Sequence, residues 1–228
     1  MYLLKSFKEL TLTERILWIS SLFIVTLSFL LCPNKDYLTL CASLIGVTAL
    51  IFVAKGYVLG QVLTVIFSVF YGIISFHFSY YGEMITYLFM TTPIAIFSII
   101  SWAKHPYKKT SVVEVSRVTP KAVALMLILA VTVTFMFYFI LDFFNTANIF
   151  FSTLSVTTSF LASYLTYLRS PYYALAYSAN DVVLIILWIL ASIEDISYLP
   201  MILCFVMFLL NDLYGFINWN RLKASQKA

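Results

Sequence analysis

Residues 121–141 read KAVALMLILAVTVTFMFYFIL, a run whose only charge is the lysine that opens it. Wound as a helix, it has no polar side to turn toward water, which a helix on the surface of a soluble domain needs. Its length suits the roughly 20 residues that cross the hydrocarbon of a bilayer. The rest of the chain agrees: 62% of the 228 residues are hydrophobic and 11% are charged, where soluble domains carry about 25%. Working outward from this segment, apolar stretches recur at 16–31, 39–54, 57–76, 84–102, 149–168, 172–191 and 198–217. The reading is an all-α integral membrane protein with eight transmembrane helices.

Basic residues test that count, because they accumulate in cytoplasmic loops. Of the 14 Lys and Arg residues, Lys35 alone falls in an outer loop; the others lie at the amino end, at Lys55, over 104–121, at Arg169 and after Trp219. A missed or invented span would scramble this alternation, so both termini are expected in the cytoplasm. Asp36, Glu83, Asp142, Glu194 and Asp195 fall outside, and only Asp181 and Asp212 are placed within the bilayer. Topology thus accounts for the net charge of +4, and no nucleic-acid surface is implied. Residues 16–31 have the apolarity of a signal peptide but no small-residue cleavage site, so an uncleaved helix 1 is expected.

The basic loop 104–120 divides the chain into similar halves. Residues 1–33 form the amino terminus and an extra helix 1, and 37–103 a first three-helix bundle of helices 2–4. Helix 5, over 121–143, is a linker; 149–219 form a second bundle of helices 6–8, and 220–228 a tail. Landmarks repeat: Lys55-Gly56 against Arg169-Ser170-Pro171, Tyr81-Gly82-Glu83 against Ile193-Glu194-Asp195, and Ser101-Trp102 against Asn218-Trp219. An odd number of helices per bundle plus a returning linker makes the repeats parallel, in a 1+3+1+3 order. Transporters with such repeats hold substrate near the midplane, between the halves. Pro93, inside helix 4, is expected to kink it and free a carbonyl. Trp102 and Trp219 are read as anchors at the membrane interface.

Polar residues inside such helices carry the chemistry. Asn180-Asp181 and Asn211-Asp212 place the same dipeptide in the last two spans, and ionisable groups at that depth face a bundle interior or a wet cavity. On helix 3, Tyr57, Gln61, Thr64, Ser68, Tyr71 and Ser75 share one face. A seam between packed helices would use such a stripe, and so would a ligand path. Helix 7 sets Tyr177 and Trp188 about Asp181, an acid among aromatic rings that suits a flat, partly cationic ligand. Helix 8 aligns Asn211, Tyr214 and Asn218; Asn211 reads as the better ligand candidate, and Asp212 as either a gate residue or one reaching interfacial water. HExxH, GxSxG and P-loop motifs are missing. Cys32, Cys41 and Cys204 suggest packing rather than a disulfide or metal site, and no cofactor is implied. A membrane enzyme would require Asp181 and Asp212 to pair.

The stretch Tyr164 to Ile185, YLTYLRSPYYALAYSANDVVLI, and the ending NDLYGFINW over 211–219 resemble the PnuC family of bacterial vitamin transporters, in its nicotinamide riboside branch. Tyr71-Gly72, Tyr81-Gly82-Glu83 and Trp102 are similar to it in the first half. The resemblance implies two parallel three-helix bundles joined by a linker helix, and facilitated diffusion of the riboside without ATP. A cytoplasmic riboside kinase, as functional partner, would trap the product. It also implies a midplane site, carried over to Asn180, Asn211, Tyr177, Trp188 and Tyr214, with Gln61, Ser68 and Tyr71. Where some members have Asn on helix 3, this chain has Phe67-Ser68. Other members carry thiamine, riboflavin or deoxynucleosides on the same scaffold.

Overall fold

A computed structural model describes residues 6–32, 36–77 and 80–227. Lys35, the one basic residue assigned to an outer loop, lies outside them. Eight helices long and apolar enough to cross a membrane follow in order: α1 Leu12–Leu31, α2 Tyr37–Ala54, α3 Val58–His77, α4 Tyr81–Lys104, α5 Pro120–Phe143, α6 Ile149–Tyr167, α7 Tyr173–Ile193 and α8 Leu199–Ser225. Their starts follow local chemistry. Thr11 and Glu14 close a reciprocal capping box on α1, Asp36 caps α2, and Thr119 with Pro120 opens α5. Helix α8 runs to Ser225, so residues 220–225, read as tail, continue it.

Six of the helices close a ring. Helix α2 packs on α3, α3 on α4, α4 on α6, α6 on α7, α7 on α8, and α8 returns to α2. The two bundles α2–α4 and α6–α8 therefore meet at two seams, α4/α6 and α8/α2. Helix α1 straddles the α8/α2 seam, while α5 packs mainly on α6. Only Met126, Ala130 and Leu141 of α5 are buried, which leaves nearly its whole surface for lipid, as its sequence demands.

The repeat is explicit at the end of the ring that carries the basic loop. The α2–α3 and α6–α7 turns use the same hydrogen bonds at the same register. Gly56 N–H donates to Val53 as Arg169 does to Thr166, Tyr57 to Phe52 as Ser170 to Leu165, and Gly60 to Tyr57 as Tyr173 to Ser170. Gly56 (φ 77°) and Arg169 (φ 58°) both take the left-handed conformation that ends a helix. Trp102 Nε1 donates to the Thr166 carbonyl and Trp219 Nε1 to the Val53 carbonyl, each at 2.9 Å. Each bundle thus satisfies a helix-end carbonyl of the other.

The two rings meet with centroids 5.3 Å apart and are 1% and 0% exposed. They are therefore a buried plug and not interface anchors. Sequence alone suggested anchors because Trp near a helix end is usually there for the headgroups; here the indole N–H finds a carbonyl inside the ring instead.

Before Pro93 the helix α4 takes a wider turn. The segment Thr86–Thr91 is π-helical, and Thr92 Oγ1 caps the Tyr87 carbonyl at 2.8 Å. Glu83, assigned to the outer turn, is instead in the first turn of α4, 4% exposed, and accepts from Ser155 Oγ of α6 at 2.7 Å. The first turn of α4 is drawn into the α4/α6 seam, which takes the carboxyl out of water.

Candidate functional site

The ring encloses a small cavity lined by Gly46, Ala49, Leu50 and Val53 of α2, Gln61, Thr64, Phe67 and Ser68 of α3, Tyr87 and Thr91 of α4, Tyr177, Asn180 and Asp181 of α7, and Phe205, Phe208 and Asp212 of α8. Both bundles contribute, so a ligand here would touch each half. The volume is about 50 Å³, room for a few waters but far below the roughly 300 Å³ at which small-molecule pockets begin. Admitting a ligand must therefore move side chains or helices.

The α7 wall is polar and preorganised. The Asn180 amide oxygen accepts from Thr158 Oγ1 at 2.8 Å and Ser159 Oγ at 2.9 Å. That fixes which way the amide faces and leaves its N–H groups free of these two hydroxyls, in a cavity that Tyr87 also lines. Tyr177 is tied by its hydroxyl to Ser163 at 3.1 Å. Asp181 and Asp212 both line the cavity, each residue 3% exposed. Asp212 thus lies on the cavity wall and does not reach interfacial water.

The opposite wall is aromatic. Phe67 stacks on Tyr71 at 5.5 Å and meets Tyr87 and Phe208 edge-on at 6.1 and 5.4 Å. Gly46 makes room for it: a Cβ there would stand 2.4 Å from the Phe208 ring and 3.0 Å from Phe67. Among the oxygens, Ser68 Oγ, Thr91 Oγ1 and Asp181 Oδ2 are buried without a protein partner, and all three residues line the cavity. Buried polar atoms are nearly always satisfied; three open ones around one space provide for a polar guest.

Aromatic groups shut both ends. Toward the basic end, Tyr173 packs on Trp219 at 5.0 Å beside Trp102. Toward the other, Trp188 donates to the Tyr71 hydroxyl at 3.1 Å and meets Tyr80 and Tyr198 at 5.1 and 5.6 Å.

Residues 36–221 match the family described as Nicotinamide mononucleotide transporter. The chain belongs to that family. The matched region begins after α1. A curated relative, the nicotinamide riboside transporter PnuC of Neisseria mucosa, is 27% identical over 195 residues, covering 83% of this chain and 74% of the relative. A crystal structure titled as the vitamin B3 transporter PnuC superposes with a TM-score of 0.82 at 26% identity, over 95% of this chain and 94% of that one. The resemblance seen in α7 and α8 thus extends to the whole fold, and the family is one of membrane transporters, not enzymes. Asp181 and Asp212 line the same cavity, and family membership decides against the enzyme reading that rested on them.

Within this family fold, the residues singled out from the sequence divide into two groups. Asn180, Asp181, Tyr177, Gln61 and Ser68 line the cavity, and Tyr71 and Trp188 pack at its outer end. Asn211, Tyr214 and Asn218 do not line it. Asn211 donates to Ser21 of α1 at 3.0 Å and to the Met207 carbonyl at 2.7 Å. Tyr214 donates to Glu14 of α1 at 3.2 Å, and Asn218 to the Ala54 carbonyl at 2.9 Å. These bonds hold α1 and α2 against α8, and Asn211 Oδ1 is left buried without a hydrogen-bond partner. Sequence reasoning left Tyr87 and Thr91 out of the site; their spacing of four just before Pro93 was the available signal.

Proposed function

We propose that this chain takes up nicotinamide riboside, a precursor of NAD, by facilitated diffusion across the inner membrane of a bacterial cell, with both termini cytoplasmic. The observation that carries the proposal is the cavity between the bundles, where the unpartnered oxygens of Ser68, Thr91 and Asp181 and the amide of Asn180 share one lining with aromatic rings. The riboside has a flat cationic ring for Phe67, Tyr87 and Tyr177, a carboxamide for Asn180, and ribose hydroxyls for the open oxygens. Rocking of the bundles about the two seams would part Trp102 from Trp219 on one side, or Tyr71 from Trp188 on the other, in alternation. A negative-inside potential favours entry of the cation by about 2.3 kcal/mol per 100 mV, and phosphorylation by a cytoplasmic kinase would trap it.

Calorimetry of the purified protein with nicotinamide riboside, against thiamine, riboflavin and thymidine, tests the substrate. Selective binding that Asn180→Ala removes supports the proposal; binding of another of these compounds in its place refutes the substrate while leaving the family intact. The two buried carboxyl residues on the cavity wall favour one alternative, since a carboxyl inside the membrane can relay a proton. Uptake into liposomes that follows an imposed pH gradient, and loses that dependence in Asp181→Asn, would make the transport proton-coupled.

A further inference from the structure

A second pocket, of about 310 Å³, opens at the basic end and shares no residue with the central cavity. It is lined by Arg117, Arg169, Lys223 and Lys227 with a single acid, Glu114. Three separate pieces of chain build it: the strand of loop entering α5, the α6–α7 turn, and the end of α8. Their relative positions are fixed by hydrogen bonds. Gln226 accepts from Val115 N–H at 2.7 Å and donates to the Val113 carbonyl at 3.0 Å, while Ser116 N–H donates to the Arg169 carbonyl at 3.0 Å. The cations are therefore gathered by the fold and are not merely a loop excess of positive charge.

Arg169 is the unusual member. It occupies the left-handed position that Gly56 takes in the first repeat, a conformation that a long side chain adopts at a steric disadvantage. Its Nε and Nη1 atoms are buried and have no hydrogen-bond partner. Charged donors left unmatched out of water are unfavourable, and an oxyanion is what they match best. Lys223 is held nearby, its ammonium 5.9 Å from the centre of the Tyr172 ring.

We propose that this pocket binds a phosphate group, carried either by an anionic lipid at the membrane boundary or by a small phosphorylated solute. Basic pockets at the cytoplasmic ends of membrane helices suit lipid phosphates, and a site of this volume also accepts a free phosphorylated molecule.

The full-length protein, stripped of lipid in a neutral detergent, is titrated with phosphatidylglycerol and with phosphatidylcholine by native mass spectrometry, and with inorganic phosphate by calorimetry. Arg169→Asn keeps a residue that tolerates the left-handed backbone; Arg117→Gln is a second variant away from that turn. Expected is binding of phosphatidylglycerol or of inorganic phosphate at least about tenfold tighter than phosphatidylcholine, weakened about tenfold in each variant, the loss of one charged hydrogen-bond contact. Phosphatidylglycerol binding without phosphate binding assigns the site to lipid, and phosphate binding alone assigns it to a solute. Equal affinity for the two lipids with no phosphate binding overturns the proposal, as does anion binding that both variants leave unchanged.

Discussion

The cavity has two walls at equivalent places in the repeat, and they differ in chemistry. The register that pairs Val53 with Thr166 and Gly60 with Tyr173 in the turns sets Phe67-Ser68 of α3 opposite Asn180-Asp181 of α7. At these equivalent positions one wall thus has a ring and a hydroxyl, and the other an amide and a carboxyl. Duplicated backbone therefore does not mean a duplicated site. The scaffold repeats, and a ligand lying between the halves is read by stacking on one side and by hydrogen bonds on the other.

That asymmetry makes predictions of decreasing size. Asn180→Ala removes the amide that Thr158 and Ser159 orient, and leaves their hydroxyls without it. Calorimetry should show riboside affinity falling roughly thirtyfold, about 2 kcal/mol; an unchanged affinity would move the site off the α7 wall. Asp181→Asn keeps the shape and removes a charge, so affinity for a cationic ligand should fall about tenfold, while a neutral analogue of the same shape should lose less. Equal losses for both would show that the carboxyl acts only as a hydrogen-bond acceptor.

Phe67→Leu, on the aromatic wall, should cost about 1 kcal/mol of binding, roughly fivefold, through lost ring contact. A loss as large as that of Asn180→Ala would mean that the walls contribute equally. The smallest effect belongs to the plug. Trp102→Phe and Trp219→Phe each delete one bond to a carbonyl that also accepts a backbone N–H, so each should lower stability by about 1 kcal/mol in thermal unfolding, and equally. A marked difference between the two would show that the repeat's symmetry stops short of its closure.

Helix α1 adds a second contrast with α5, since both precede a bundle. Helix α5 makes a side-chain bond to its bundle at Thr134–Thr157, 2.7 Å. Helix α1 is bonded to both bundles: Trp18 to Thr48 at 3.1 Å and Glu14 to Lys55 at 2.8 Å on α2, and Ser21 and Glu14 to Asn211 and Tyr214 on α8. Just outside the span, Tyr57 donates to Glu9 at 2.6 Å; burial, then this carboxylate, pushes its phenol well above the ordinary range and keeps it a donor. Helix α1 therefore closes the α8/α2 seam, which leaves α4/α6 as the seam with less polar fastening on its outer side.

By itself, the sequence determined the membrane class, the eight spans, the parallel repeat and the α7 side of the cavity. Those follow from length, apolarity, loop charge and helical spacing, which are local. Tertiary structure decided which of two adjacent polar residues faces inward. Asn211 and Asp212 are about 100° apart on α8, and a helix with lipid on one side would reveal which of them points into the ring. Helix α1 covers the far side of α8 with Ser21 and Glu14, so polar side chains meet polar groups in both directions and periodicity carries no sign. The same holds for Trp102 and Trp219: their place at helix ends is written in the chain, but only ring closure brings them together and supplies the carbonyls that bury them.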